Sequence, residues 1–483
     1  MRRSTVADVV VDGLKRAGTP RLFGVAGLET NLPLLEAARE GGLPLTLASR
    51  ATTAGIMAAV SGDLVEAPGA ALVGSGRGVT TAIDGVAYAL EDGAAMVLLT
   101  ERLSVPGCKA SLSVAAESAA HRIAHATRLA ATEPRGPVHL EIPAEVARRP
   151  ALPLATSCRP DPLPPPDRGA LDGAARLLAR ASRPLLVAGL HCRSTSVQQW
   201  VRALAEALPA PLLVTCRAKG ALPDPHPLML GVLGVDGVDE RLLKRADLVV
   251  GLGLDALELV QSPWWSTVPV LGVGPPQALG DRIPAVAVVG DVAVVLEELA
   301  PRLRDRERAD WDVAELDRLK RERFAAGAGP ALARRGIVRV AREATPAGTI
   351  ATCDAGSHLV DVAIAWHAVA PREFLASNGR VTAGFALPAA IAAHLVHPDR
   401  RIVCFTGTDG LAAAATELET ATRLGAPIVV IVFGAGTSAA PDLMRLAQGF
   451  GVTALAADSE ARFGEALSRA LRTAGPSLVA VWP

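Results

Sequence analysis

Three arginines each follow a short apolar run: Arg50 after residues 44–48, Arg77 after 70–74 and Arg102 after 95–100. If those runs are parallel strands, their carboxyl ends are where an α/β sheet binds its ligands. Guanidiniums meeting there would hold a carboxylate or phosphate through paired hydrogen bonds. Ser75, in the turn Gly74-Ser75-Gly76-Arg77-Gly78, would add a hydroxyl. The plainer alternative is that arginines of an Arg-rich chain are solvated, or paired with Glu91 and Glu101. A second group follows later apolar runs: Asp354, Ser357 and His358 after 349–353, then Thr408 and Asp409 after 401–406. His358, four residues from Asp354, suits acid–base work, although a strand-end His near an Asp is more often simply a hydrogen-bonded structural residue. The catalytic candidates are therefore His358, Asp354 and Arg50, and the ligand-binding candidates are Arg50, Arg77, Arg102, Ser75, Ser357 and Thr408. Asp409 is a doubtful metal ligand, since alone it binds weakly, and it would equally cap a helix over Leu411–Arg423. Cys353 and Cys404 fall inside apolar runs and read as core. The turn Gly251-Leu252-Gly253 leaves a nucleotide such as FAD open without supporting it.

The elements that must position these groups repeat along the chain. Apolar runs at 21–26, 44–48, 70–74, 95–100 and 138–142 alternate with helical periodicity, as at 32–39 and 52–64. Thr5 and Asp8 predict a capping box for a first helix through about Arg16. Continuous apolar strands between helices imply parallel sheets covered on both faces. A proline-rich stretch (150–168) separates a second α/β run over 169–302, with strands near 184–188, 211–215, 248–251, 268–273 and 285–289. Residues 303–330 read as a linker helix and loop, and 331–483 as a third α/β run with strands near 349–353, 401–406, 427–433 and 477–481. The expectation is three doubly wound parallel-sheet domains, at 1–149, 169–302 and 331–483.

Composition excludes several partners. The 483 residues carry 49 basic and 49 acidic side chains, so no field draws the chain to nucleic acid or an anionic membrane. No apolar run approaches the roughly 20 residues of a bilayer span. Six cysteines without a C-x-x-C pair fit a reduced, cytoplasmic protein, and Met1-Arg2-Arg3-Ser4 is not expected to begin a signal peptide.

Several segments, in order, resemble the thiamine-diphosphate enzymes of the acetolactate synthase, 2-oxo acid decarboxylase and benzaldehyde lyase type. They are Phe23-Gly24-Val25-Ala26-Gly27 with Asn31-Leu32-Pro33-Leu34, the turn 74–78, and Gly136-Pro137-Val138-His139-Leu140-Glu141-Ile142-Pro143. Further on come Lys219-Gly220-x-x-Pro223-Asp224-x-His226-Pro227, Gly231-x-x-Gly234, Asp354-Ala355-Gly356-Ser357-His358, Gly384-Phe385-Ala386-Leu387-Pro388-Ala389-Ala390 and Glu417-Leu418-x-Thr420-Ala421. The resemblance implies pyrimidine-type, middle and diphosphate-type domains. It also implies an obligate dimer, with each cofactor site between one subunit's first domain and the other's third.

Set against that family, four devices are missing. The carboxylate that hydrogen-bonds the aminopyrimidine falls on Ala51, and residues 41–62 contain no Asp or Glu. Of the Mg²⁺ ligands, Asp409 remains, but the Asn pair falls on Gly434-Ala435 and no asparagine follows Asn378. The Met that bends the cofactor falls on Ala383, and the chain covering the diphosphate is shortened after Gly436. The expectation is a degenerate member that binds neither thiamine diphosphate nor Mg²⁺. Its inter-subunit cleft, in a homodimer or tetramer, would be reused for a small anionic metabolite, catalytically or as a sensor. Two alternatives stay open: a non-catalytic subunit of an active thiamine-diphosphate enzyme, and an unorthodox thiamine-diphosphate lyase or carboligase (transferase) acting on 2-oxo acids.

Overall fold

The computed structural model describes residues 4–25, 32–74, 77–101, 105–234, 238–258, 268–276, 284–303, 309–325, 330–378, 384–434 and 440–482. Thr5 opens the first helix, Val6–Ala17, with the capping box its sequence predicts: its hydroxyl accepts the Asp8 N–H while Asp8 returns a bond to the Thr5 N–H.

Among the described residues, eighteen strands form three six-stranded parallel sheets. In the first, β1 (Leu22–Val25), β2 (Leu45–Ala48), β3 (Gly69–Leu72), β4 (Met96–Thr100), β5 (Ala110–Ser113) and β6 (Pro137–Glu141) lie in the order β2-β1-β3-β4-β6-β5. In the second, β7 (Pro184–Ala188), β8 (Leu212–Val214), β9 (Met229–Val232), β10 (Leu248–Leu252), β11 (Val270–Gly274) and β12 (Val286–Val289) follow the order β12-β11-β10-β7-β8-β9. The third takes β13 (Ile350–Cys353), β14 (Phe374–Ala376), β15 (Ile402–Gly407), β16 (Ile428–Phe433), β17 (Thr453–Ala457) and β18 (Ser477–Val481) in the order β14-β13-β15-β16-β18-β17. Most strands away from the sheet edges are buried along their whole length, which is why they read as unbroken apolar runs.

By packing, the chain divides into two compact units, 1–161 with 379–457 and 465–482, and 162–378 with 458–464. The first is organised around the helix Ala51–Leu64, which is buried along its length except at Asp63. It packs against the helices Arg77–Glu91 and Ala386–Val396. Glycines let the first pair approach closely: a Cβ on Gly85 would stand 2.8 Å from the Thr52 carbonyl oxygen, and one on Gly55 3.1 Å from the Gly85 Cα. The helices Ala51–Leu64 and Ala386–Val396 have no polar stripe, as befits helices without a solvent face.

In the second unit, Asp167, Ser194 and Asp291 cap helices through their side chains. The helix Val313–Ala325, inside the stretch read as a linker, lies against β9. It carries the buried Arg323, which donates to the Leu230 carbonyl at 2.8 Å, to the Val232 carbonyl and to Asp239. Among the described residues no helix is long and apolar enough to cross a membrane.

Candidate functional site

The head of the helix Ala51–Leu64 is held by a residue from the other end of the chain. Glu417, fully buried, opens the helix Glu417–Arg423. Its Oε1 accepts the Ser49 N–H at 3.0 Å and lies 2.5 Å from the Thr53 hydroxyl. The Ser49 hydroxyl donates to the Thr416 carbonyl at 3.0 Å. Glu417 Oε2 is buried and has no hydrogen-bond partner among the described residues. Ala51, between Ser49 and Thr53, is itself buried. Glu417 entered the sequence reading only as part of a motif. The signal for a role was an acid beside an apolar helical pattern, with hydroxyl residues at 49 and 53.

Arg50 is the N-cap residue of that helix, and its exposed guanidinium turns to the third sheet's side of the unit, donating from Nη1 to the Ala413 carbonyl at 2.8 Å. Arg77 begins its helix, but its side chain, Arg102 and Ser75 lie outside the described residues. So do Ala383 and the segment from Ala435 to Ala439.

Thr408 and Asp409 stand at the carboxyl end of β15, Thr408 half-buried and Asp409 exposed. The helix expected over Leu411–Arg423 is instead two, Thr408–Ala414 and Glu417–Arg423. The N-cap of the first is Gly407, so Asp409 lies within the first turn and does not cap it. The break falls at Ala415-Thr416, where the Thr416 carbonyl takes the Ser49 hydroxyl. Among the described residues no group of three or more His, Cys, Asp or Glu is arranged to hold a metal. Cys353 and Cys404 are core residues.

Asp354, Ser357 and His358 belong to the other unit. Asp354 is buried after β13, and Ser357 is exposed at the start of the helix Ser357–Ala365. His358 is buried, and its imidazole folds back over Gly356, where a Cβ would meet Cε1 at 2.9 Å. Burial, reinforced by Arg334, pushes the imidazole down from its ordinary 6.5 to about 4, against the opposing pull of Asp361. Asp361 is itself clamped by Arg334 Nε at 2.7 Å and Arg335 Nε at 3.0 Å. At neutral pH His358 is thus uncharged, a poor proton donor.

In the middle sheet's unit, the segment Lys219–Pro227 is a structural joint. Lys219 Nζ lies 2.8 Å from Asp224 Oδ2, which also accepts the Ala368 N–H at 2.6 Å. The turn after β10 is tight: Gly253 has φ +54°, and His191 and Cys192 fill the space a Cβ would need.

Three descriptions match the chain in order: thiamine pyrophosphate enzyme, N-terminal TPP binding domain, over residues 4–122; central domain, over 171–299; and C-terminal TPP binding domain, over 354–437. The catabolic acetolactate synthase of Raoultella terrigena is 27% identical, covering 98% of this chain and 94% of its own length. Acetolactate synthase isozyme 1 large subunit of Escherichia coli K12 is also 27% identical, over 99% and 94%. A protein of Pseudomonas aeruginosa named probable 2-ketoarginine decarboxylase is 28% identical, over 89% and 82%. A solved structure from Mycobacterium smegmatis, described as a thiamin diphosphate-dependent enzyme, has the same fold, with a TM-score of 0.83 at 22% identity over 100% of both chains.

The matches overturn the expectation of a chain without a cofactor, because two of the three descriptions are TPP binding domains, one in each part of the chain that would hold it. The expectation had treated each lost side chain as a lost site. A site built largely from strand ends and backbone N–H groups keeps its shape when side chains change. The residues present agree with this. Asp409 offers an exposed carboxylate, a hard oxygen donor suited to Mg²⁺, at the end of β15. Position 51 has only a methyl group, but the carboxylate of Glu417 reaches the same helical turn.

Proposed function

The chain belongs to the thiamine pyrophosphate enzyme family, and on that footing we propose that it is an acetolactate-synthase-like enzyme that cleaves or joins carbon–carbon bonds of 2-oxo acids. The observation that carries the reading is the pair of TPP binding domains in order, with Asp409 exposed at the carboxyl end of β15. Relatives named acetolactate synthase and 2-ketoarginine decarboxylase support the substrate class. When bound, thiamine diphosphate supplies the electron sink for the carbanion that forms as a bond to the 2-oxo carbon breaks.

The chain's own residues have simpler tasks. Asp409 would hold Mg²⁺, and Thr408 would add a hydroxyl at the same strand end. The helix Ala51–Leu64, apolar and closed to water, fixes the wall beside the pyrimidine end. A second copy completes the site, first domain to third, in a homodimer or tetramer. A folded monomer at micromolar concentration in sedimentation would overturn that assembly.

Calorimetric titration with thiamine diphosphate and Mg²⁺ tests the function. A dissociation constant below roughly 10 µM, about −7 kcal/mol, together with Mg²⁺-dependent consumption of a 2-oxo acid such as pyruvate, is expected. No heat of binding and no rise in melting temperature at millimolar cofactor would overturn it.

A further inference from the structure

We propose that a cavity beside the helix Pro330–Glu343 binds a free α-amino acid, with its carboxylate on Arg342 and its ammonium group toward Glu343 and Glu460. This role does not depend on which reaction the enzyme performs.

Arg335, Arg339 and Arg342 stand at i, i+4 and i+7 of that helix, on one face, and all three line a cavity of about 360 Å³. Sites for small metabolites span about 300–1,000 Å³. Glu343, Ala365, His367 and Glu460 supply most of the remaining wall. Ser357 and Ala365 are the two ends of one helix, about 12 Å apart at 1.5 Å per residue. The cavity is therefore separate from the strand end that carries Asp354.

Charge in this wall is unevenly matched. Asp361 takes both Arg334 and Arg335. Glu343 and Glu460 share Arg339, at 3.5 and 2.9 Å, and among the described residues neither has a second cation. Gly336 lets Glu460 come close, since a Cβ there would stand 2.5 Å from its Oε2. One end of the cavity thus carries two carboxylates for one guanidinium.

Arg342 is the reverse case. It is half-buried and has no carboxylate partner among the described residues. Its Nε donates to the His367 carbonyl at 2.8 Å, and its Nη1 to the carbonyls of Thr345 at 3.1 Å and Pro346 at 3.4 Å. Its guanidinium carbon lies 5.3 Å from the centre of the Trp366 ring. These contacts fix the group without neutralising its charge. A guanidinium already ordered in this way favours an oxyanion.

Arg339 and Arg342 are one helical turn apart, about 5–6 Å between Cβ atoms, so the negative and positive ends of the cavity are neighbours. A simple dianion would suit Arg342 and be repelled by the two glutamates, and a simple amine would meet the opposite difficulty. A molecule with carboxylate and ammonium on one carbon matches both ends.

The common L-amino acids are added singly, at millimolar concentration, to the whole chain, and the melting temperature is read. The strongest is then titrated calorimetrically beside the acid lacking its amine and the amine lacking its carboxyl group. At least one amino acid is expected to raise the melting temperature and to bind at least tenfold more tightly than either truncated form. Arg342→Gln and the double variant Glu343→Gln/Glu460→Gln are each expected to weaken that binding at least tenfold. No rise with any amino acid would overturn the proposal. So would equal binding of the truncated acid, which would make this a simple anion site, or affinity unchanged in both variants, which would place the ligand elsewhere. Should Arg342→Gln fail to fold, the double variant decides alone, because both glutamates are exposed.

Discussion

Lys219 and Asp224 form an ion pair closed off from solvent, with Nζ 2.8 Å from Oδ2 and the two side chains 2% and 7% exposed. Asp224 also makes two hydrogen bonds to the Ala368 backbone, donating its N–H to the carbonyl at 3.0 Å and accepting the Ala368 N–H on its carboxylate. Removing one charge strands the other where water cannot reach it. Lys219→Met is expected to lose about 3–5 kcal/mol, read as a fall in the urea midpoint without a change of slope. A loss below about 1 kcal/mol would mean that the pair is solvated.

Gly220, beside that lysine, has φ +92°, and a Cβ there would stand 2.1 Å from the Ala370 carbonyl oxygen. Backbone cannot move aside as a flexible side chain does. Gly220→Ala is expected to cost about 3 kcal/mol or more, or to give insoluble protein. Gly42 has φ +69° with nothing within 4 Å of its Cβ position, so Gly42→Ala isolates the conformational cost, about 1 kcal/mol. Equal melting temperatures for the two variants would show that contact with Ala370 plays no part.

His358 should make stability depend on pH in a defined window. Its imidazole ionises near 4 in the folded protein, held down by burial and then by Arg334, against 6.5 ordinarily. As pH falls below 6.5 the unfolded chain takes up a proton that the folded protein refuses, so this contribution is present above 6.5 and is lost progressively down to about 4. The full span is about 3 kcal/mol. Denaturant titrations from pH 7 to pH 4 on the wild type and on His358→Gln should diverge in slope through that range. Parallel curves would show that the imidazole titrates normally.

Arg50 donates to one carbonyl from an exposed position. Arg50→Ala is expected to shift stability by no more than about 1 kcal/mol. Phosphate or a dicarboxylate should raise the melting temperature of both proteins equally or not at all. A rise confined to the wild type would show an anion bound by Arg50.

Much of the fold was legible along the chain because interior parallel strands are apolar on both faces. The runs at 95–100, 184–188 and 427–433 coincide with β4, β7 and β16, each buried throughout. The strands that the reading passed over, β5, β9, β14 and β17, all lie at sheet edges. With a neighbour on one side only, β5 alternates half-buried and exposed residues and reads as Ala-Ser-Leu-Ser. β9 contains a glycine, β14 has three residues, and β17 is mostly uncovered. Edge strands β2 and β12 were read because their sequences happen to be apolar.

The sequence by itself determined the family, the strand ends that carry Thr408 and Asp409, and the absence of an acid at position 51. Those are statements about residue type and local order, which spacing records. Tertiary structure decided which side chains meet. Glu417 reaches Thr53 across 364 residues, and Arg50 reaches Ala413 across 363. Both contacts lie in the unit where the buried helices Ala51–Leu64 and Ala386–Val396 pack together. Helices apolar on every side have no stripe to announce their partners. Only the packed fold shows that the carboxylate of Glu417 meets Ser49 and Thr53 at the head of the helix Ala51–Leu64.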